Sequence, residues 1–204
     1  MDPIVIQAMA KWPSVPNVFG WLQLDRRGNW LIKGDRIANA GVTGFIGRNY
    51  AEDEQGRWFF QNGPQRVFIA LDYTPFVYRL TWDASPSAVQ RMETHTKRAV
   101  TQIAGAWIDE AGVVLIESEH GVGLVDDRDL ERLLAYFKDR RGGALTEEHI
   151  AAAIEQLQTG AAADLCLVYS GSSMPVLPIM AAKVPAEFNF MQRPLQPAGE
   201  EECY

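Results

Sequence analysis

The side chains that could carry chemistry are few. Of three histidines, His149 lies beside Glu148 on a predicted helix, but no second histidine stands four residues away, which excludes a zinc-protease helix. His95 closes Glu93-Thr94-His95, and His120 closes Glu117-Ser118-Glu119-His120. On strands, alternate residues share a face, so Glu93 pairs with His95 and Glu117 with Glu119. Were the two strands neighbours, Glu93, His95, Glu117 and His120 would assemble an oxygen/nitrogen metal site or an acid–base pair. The competing and preferred reading is the solvated face of an antiparallel sheet. Ser170, Ser172 and Ser173 lack the nucleophile-elbow pattern and sit between two apolar runs, as a hairpin turn would. Cys166, inside LCLVY, has no activating base or cation in view and reads as a small buried hydrophobe. Asp126, Asp127 and Asp129 do not have calcium-loop spacing, and helix capping accounts for at least one of them without a metal.

The most unusual polar run is Gln61-Asn62-Gly63-Pro64-Gln65-Arg66, with Arg48-Asn49 ahead of it. Amides in a Gly-Pro turn commonly satisfy local backbone groups, and a hydrophilic turn is the plainer reading. The functional alternative is a rim of donors beside an aromatic wall, suited to an anionic small molecule or a peptide carboxylate. Its residues would be Arg48, Asn49, Gln61, Asn62 and Arg66.

The elements that must position these groups are announced by a recurring turn. Asp25-Arg-Arg-Gly28, Asp53-Glu-Gln-Gly56 and Asp109-Glu-Ala-Gly112 each stand between apolar runs. Asp caps a tight turn and Gly supplies the positive φ of a bulged hairpin. The first and third are expected to close hairpins, and the second to join a helix to a strand. A helix is predicted over residues 39–50, N-capped by Asn39. Gly41, Gly44 and Gly47 on it are read as a stripe packed against a sheet, since glycine in a helix otherwise costs about 1 kcal/mol. A second helix, from Asp126 or Asp127, presents Leu130, Leu133, Leu134 and Phe137 and ends at Gly142-Gly143; a third starts at Thr146. Trp12, Phe19, Trp21 and Trp30 are assigned to the first core, although a homodimer surface would use the same residues.

These elements make an α+β protein: antiparallel β hairpins and sheets packed with a few helices, arranged as two similar small lobes. The expected divisions are a flexible extension over 1–11, lobes over 12–83 and 84–193, and an acidic tail over 194–204. At 204 residues, 47% hydrophobic and 22% charged, the composition is globular. With 19 Lys and Arg against 26 Asp and Glu, the net charge of −7 argues against general nucleic-acid binding. No apolar stretch approaches the roughly 20 residues of a membrane helix, and no signal peptide is evident. Two cysteines without metal spacing suit a reducing cytoplasm.

The segments KWPSVPNVFGWLQLDRRGNW, FIGRNYAEDEQGRWFFQNGPQRVFIALDYTPFVYRL and VLIESEHGVGLVDDRDLERLL resemble a family of uncharacterised, conserved hypothetical proteobacterial proteins. The resemblance runs through nearly the whole chain. The strand–helix–strand order of the first half is similar, more distantly, to another domain of unknown function whose members pair two small α+β lobes. Neither implies a substrate, cofactor or catalytic residue. The leading expectation is therefore a cytoplasmic protein that binds a small molecule or protein partner without catalysis and without a cofactor. The alternatives are a small metal-dependent or acid–base hydrolase using Glu93, His95, Glu117 and His120, and a structural homodimer.

Overall fold

The computed structural model describes residues 1–12, 15–81 and 91–197. The chain forms two compact units, Met1–Pro75 joined by the residues from Phe188 onward, and Phe76–Glu187. The boundary expected at 83/84 and the end of the acidic tail, with Cys203, lie outside the described residues.

Unit 1 holds α1 (Pro3–Lys11), β1 (Val18–Leu24), β2 (Trp30–Ile32), β3 (Asp35–Arg36), α2 (Ala40–Arg48), β4 (Tyr50–Glu52), β5 (Trp58–Asn62) and β6 (Gln65–Leu71). The flexible extension expected over 1–11 is instead this first helix. Pro3 stands in its first turn, where a missing N–H costs nothing, and Val5 is buried. The strands form one sheet in the order β3-β2-β1-β6-β5-β4. All neighbours are antiparallel except the central pair, β1 with β6. Leu22, Leu24, Trp30, Ile46, Tyr50, Phe60, Ile69 and Leu71 fill the core. Tyr50 stands edge-on to Trp30 and donates its hydroxyl hydrogen bond to the Pro75 carbonyl at 2.9 Å. Trp12 and Trp21, expected in this core, are 52% and 38% exposed.

Asn39 caps α2 as expected, its side chain accepting from Gly41 N and Val42 N at 2.9 and 3.1 Å. Of the glycine stripe, Gly47 is buried, but Gly41 and Gly44 differ from expectation. A Cβ at Gly41 would meet Asn39 Oδ1 at 3.1 Å and one at Gly44 the Arg48 side chain at 3.4 Å, so neither touches the sheet.

Unit 2 holds β7 (Phe76–Thr81), β8 (Arg91–Thr94), β9 (Ile103–Asp109), β10 (Val114–Ser118) and β11 (Gly121–Val125). It continues through α3 (Leu130–Leu133), β12 (Phe137–Lys138), α4 (Glu147–Gln158), β13 (Cys166–Tyr169), β14 (Ser172–Ile179) and α5 (Val184–Glu187). The expected Leu-rich helix is only α3 flanked by two single 3₁₀ turns, and Phe137 begins a strand. Helix α4 is as expected, with Thr146 Oγ1 accepting from His149 N at 3.3 Å and Ile150, Ala153 and Leu157 buried. The strand order is β12-β13-β14-β9-β10-β11-β7-β8.

Read from its other edge, the unit 1 sheet runs β4-β5-β6-β1-β2-β3. Its counterpart in unit 2 is β12-β13-β14-β9-β10-β11. In both, the first and last strands of the set pair in parallel at the centre, flanked by antiparallel hairpins. The two lobes thus repeat one topology. Unit 2 adds the β7–β8 hairpin at one edge and α4 ahead of β13.

The repeated turn follows the same pattern. Asp53 closes a β4–β5 hairpin rather than joining a helix to a strand, because Tyr50–Glu52 is extended and pairs with 58–60. A fourth copy, Asp139-Arg-Arg-Gly142, follows β12 where a helix end was expected. In all four the Asp Oδ1 accepts from the backbone N–H two and four residues on, at 2.7–3.0 Å. The glycines have φ of 70–81°. Asp53 follows Asp25 by 28 residues and Asp139 follows Asp109 by 30, matching the repeat.

The copies differ in what surrounds the glycine. At Gly142 an added Cβ would meet nothing within 4 Å, whereas at Gly56 it would stand 2.2 Å from the Asn189 carbonyl oxygen. Gly142→Ala is therefore expected to lose only the left-handed penalty, about 1–2 kcal/mol. Gly56→Ala adds a backbone collision and should lose about twice as much or more. Urea titrations of the two variants measure this, and equal losses would show that the Asn189 contact is not what requires glycine at 56.

Candidate functional site

The two polar sets expected from the sequence are used within the fold in different ways. In unit 1, Asn49 follows α2 and is buried, its Oδ1 accepting from Asp2 N at 2.7 Å and its Nδ2 donating to Phe45 O at 2.9 Å. Arg48 Nε reaches both Asp2 carboxylate oxygens at 3.2 Å, so both residues tie α1 to the end of α2. Gln61 is buried, and its Nε2 donates to Gly63 O at 2.9 Å. Its Oε1 is a buried acceptor without a hydrogen bond. Arg66 lies 4.6 Å over the Phe59 ring. These four hold the fold. The fifth, Asn62, is exposed, and its carboxamide makes no hydrogen bond among the described residues.

Asn62 opens onto a cavity of about 400 Å³ between α2 and the sheet. Strand alternation sends Phe60 and Asn62 to this face and Gln61 to the other. Leu22, Phe60 and Val67 form the sheet side, and α2 supplies Val42 and Ile46. Trp21 and Ile32 stand at the rim; with Val42 they are 38–45% exposed. Phe45 meets Phe60 edge-on at 5.4 Å and anchors the helix beside the opening. Among the described residues, Asn62 and Gln65 supply amide groups to its lining, the latter donating to Pro16 O at 3.0 Å. The sequence marked Asn62 as polar and accessible; the apolar wall was read as core. The density of aromatics between Trp12 and Trp30, more than one small sheet buries, was the available signal.

In unit 2 the acid–histidine set does not assemble. Strands β11 and β7 stand between β10 and β8, placing Glu117 and Glu93 about 14 Å apart at ordinary strand spacing. Glu93 pairs with Lys97 at 2.5 Å. Glu117 lies opposite Gly105 and Val122. Among the described residues no group of three or more His, Cys, Asp or Glu is arranged to hold a metal ion. The two histidines each stand against Phe76, with ring centroids 5.9 and 6.4 Å from it. His120 Nε2 donates to Ala99 O at 2.9 Å. Glu119 accepts from Thr101 N and Oγ1, both at 2.7 Å; burial would raise its pKa, but these bonds hold the carboxyl below the usual range.

A charge cluster follows β11. Asp126 and Asp129 are buried. Asp126 accepts from Arg128 Nε and Nη2 at 2.8 and 2.6 Å, and caps the following turn through Arg128 N. Asp129 accepts from Arg79 Nε at 2.8 Å and Leu80 N at 3.0 Å. Burial alone would raise the Asp126 pKa; the bonds from Arg128 outweigh it and hold the carboxyl below its ordinary value. This arrangement leaves the aspartates' oxygens occupied by the arginines, and it fastens β7 to the turn.

Among the described residues, unit 2 has cavities of its own. One of about 330 Å³ is lined by Trp107, Leu157 and Lys183, and one of about 470 Å³ by Arg91, Tyr136 and Tyr169. In the larger, the Tyr169 hydroxyl is already bonded to Met92 N and Val100 O.

His95 has a measurable consequence. Its Nε2 is buried, and its Nδ1 accepts from Val77 N at 3.3 Å, which requires a neutral ring. Burial, with Arg98 and Lys97 nearby, pushes its pKa from 6.5 down to about 3. Below pH 6.5 the unfolded chain binds a proton that the folded chain refuses. Stability should therefore fall with pH from about 6.5 towards 3, at up to about 1.4 kcal/mol per pH unit for one proton. His95→Asn, whose Oδ1 can accept from Val77 N without titrating, should flatten this slope between pH 6.5 and 5 in urea titrations. An unchanged slope would mean that His95 protonation is not what acid works against.

Comparisons with known proteins speak to family and fold. Among curated proteins none matches the sequence. Among solved structures, a DUF1285 family protein from Silicibacter pomeroyi DSS-3 is similar with a TM-score of 0.52 and 18% identity, over 88% of this chain and 97% of that one. A DUF1285 family protein from Shewanella baltica OS155 is similar with a TM-score of 0.39 and 14% identity, over 58% of this chain and 90% of that one. The first likeness shows a shared fold. No helix of the described residues is long and apolar enough to cross a membrane. Residues 1–195 match the model of the family DUF2944, described as "Protein of unknown function (DUF2946)", and the chain belongs to that family.

Proposed function

We propose that this chain is a non-catalytic binding protein. Unit 1 takes a small, largely apolar molecule with one hydrogen-bonding group into the cavity between α2 and the sheet. The observation that carries this reading is a free carboxamide, Asn62, facing an open apolar cavity of about 400 Å³. Protein interiors are close-packed, and small-ligand sites combine apolar walls with a few polar groups in a volume of roughly 300–1,000 Å³. The anionic ligand read from Arg48, Asn49, Gln61, Asn62 and Arg66 has little support from four of them, because Arg48, Asn49, Gln61 and Arg66 serve partners within unit 1. The apolar rim supports the small-molecule reading over a purely structural one, since Trp21, Ile32 and Val42 leave the entrance open.

The neutral dye Nile red serves as a probe. Its emission should rise and shift to the blue with the wild-type protein. Val42→Trp, which fills the mouth from the exposed side of α2, should weaken binding about tenfold, or roughly 1.4 kcal/mol, with an unchanged circular dichroism spectrum. No response from the wild type, or equal affinity in the variant, overturns the reading.

A further inference from the structure

We propose that the molecule held in this cavity is a monomeric amphipathic carboxylate, a free fatty acid of medium chain length, whose head group is captured by Lys33. This rests on the binding role of the cavity proposed above and adds the ligand's charge. Lys33 and Gly34 form the two-residue turn between β2 and β3, where Ile32 faces Asp35 across the hairpin. Both central residues have positive φ, 51° and 90°. Asn, Asp and Gly are the usual occupants of such a turn; lysine has no side-chain group to compensate the left-handed backbone there. Local preference is thus overridden at the residue next to Ile32, on the rim.

The side chain is also held in place. Lys33 Nζ lies 4.2 Å from the centroid of the Trp21 ring, which lines the cavity. Among the described residues Lys33 has no carboxylate partner, and Asp35 across the turn forms no ion pair with it. Arg48 binds Asp2 and Arg57 binds Asp53, whereas Lys33 over Trp21, like Arg66 over Phe59, meets an aromatic ring that leaves its charge in place. Lys33 therefore brings a positive charge without a carboxylate partner to the ring of Trp21, at the rim of an apolar cavity. An apolar chain with one terminal negative charge complements both features, and a carboxylate can reach the ammonium while its chain meets Leu22, Ile46, Phe60 and Val67.

The test is calorimetric titration with decanoate, below its micelle-forming concentration, and with decan-1-ol, on the wild type and on Lys33→Asn. Asparagine suits the left-handed position, so the variant retains the turn. Decanoate should bind the wild type roughly fivefold more tightly than the alcohol, the magnitude of a partly exposed ion pair. That advantage should vanish in Lys33→Asn while alcohol binding is unchanged. Equal binding of acid and alcohol to the wild type, or an advantage that survives in the variant, overturns the role of Lys33 and leaves the cavity reading standing. Binding of neither overturns both.

Discussion

A carboxylate that accepts two backbone N–H groups, followed three residues on by a left-handed glycine, is the interaction on which both lobes depend. Three copies bring a strand back antiparallel on its neighbour, and the fourth, at Asp139, returns the chain to the single bridge between Lys138 and Ala144; each lobe uses the turn twice, once beside the central strand and once at the edge. A hairpin closed this way sets its register locally, before any core exists. The remaining task in each lobe is then to join two preformed hairpins through one parallel pair. That pair, β1 with β6 or β9 with β14, is buried at the middle of the sheet, where apolar residues such as Ile69 and Ile108 hold it.

Much of this was legible because the signal is short-range. Asp25, Asp53 and Asp109 stand out as turns, and Asn39 and Thr146 as helix caps, since each acts on residues two to four away. The copy at Asp139 was hidden because Gly142-Gly143 after a leucine-rich stretch resembles a helix terminator. Glycine serves both ends with the same positive φ. The N-terminal helix was missed because its anchor is long-range: Asp2 is held by Asn49 and Arg48, which no local pattern reveals.

The candidate site shows the same division. Gln61, Asn62 and Arg66 form one polar run in sequence. Strand alternation sends them to different faces, where Gln61 is buried, Arg66 covers an aromatic ring and only Asn62 meets the cavity. Conversely, Glu93 and Glu117 sit in similar local motifs, yet strand order places two strands between them. Adjacency along the chain was visible, whereas adjacency across a sheet depended on the order of pairing.

The C-terminal segment has a bearing on how the protein is made. Met191 bridges Arg57, and Gln192 accepts from Leu71 N, so unit 1 is completed by residues that follow all of unit 2. On the ribosome the first lobe can close its hairpins early but must wait until the residues after unit 2 are made before those backbone groups are satisfied. The second lobe is contiguous and can finish first. Synthesis order and folding order therefore run opposite, and a nascent chain released before Phe188 would carry a complete second lobe beside a first lobe with an open seam.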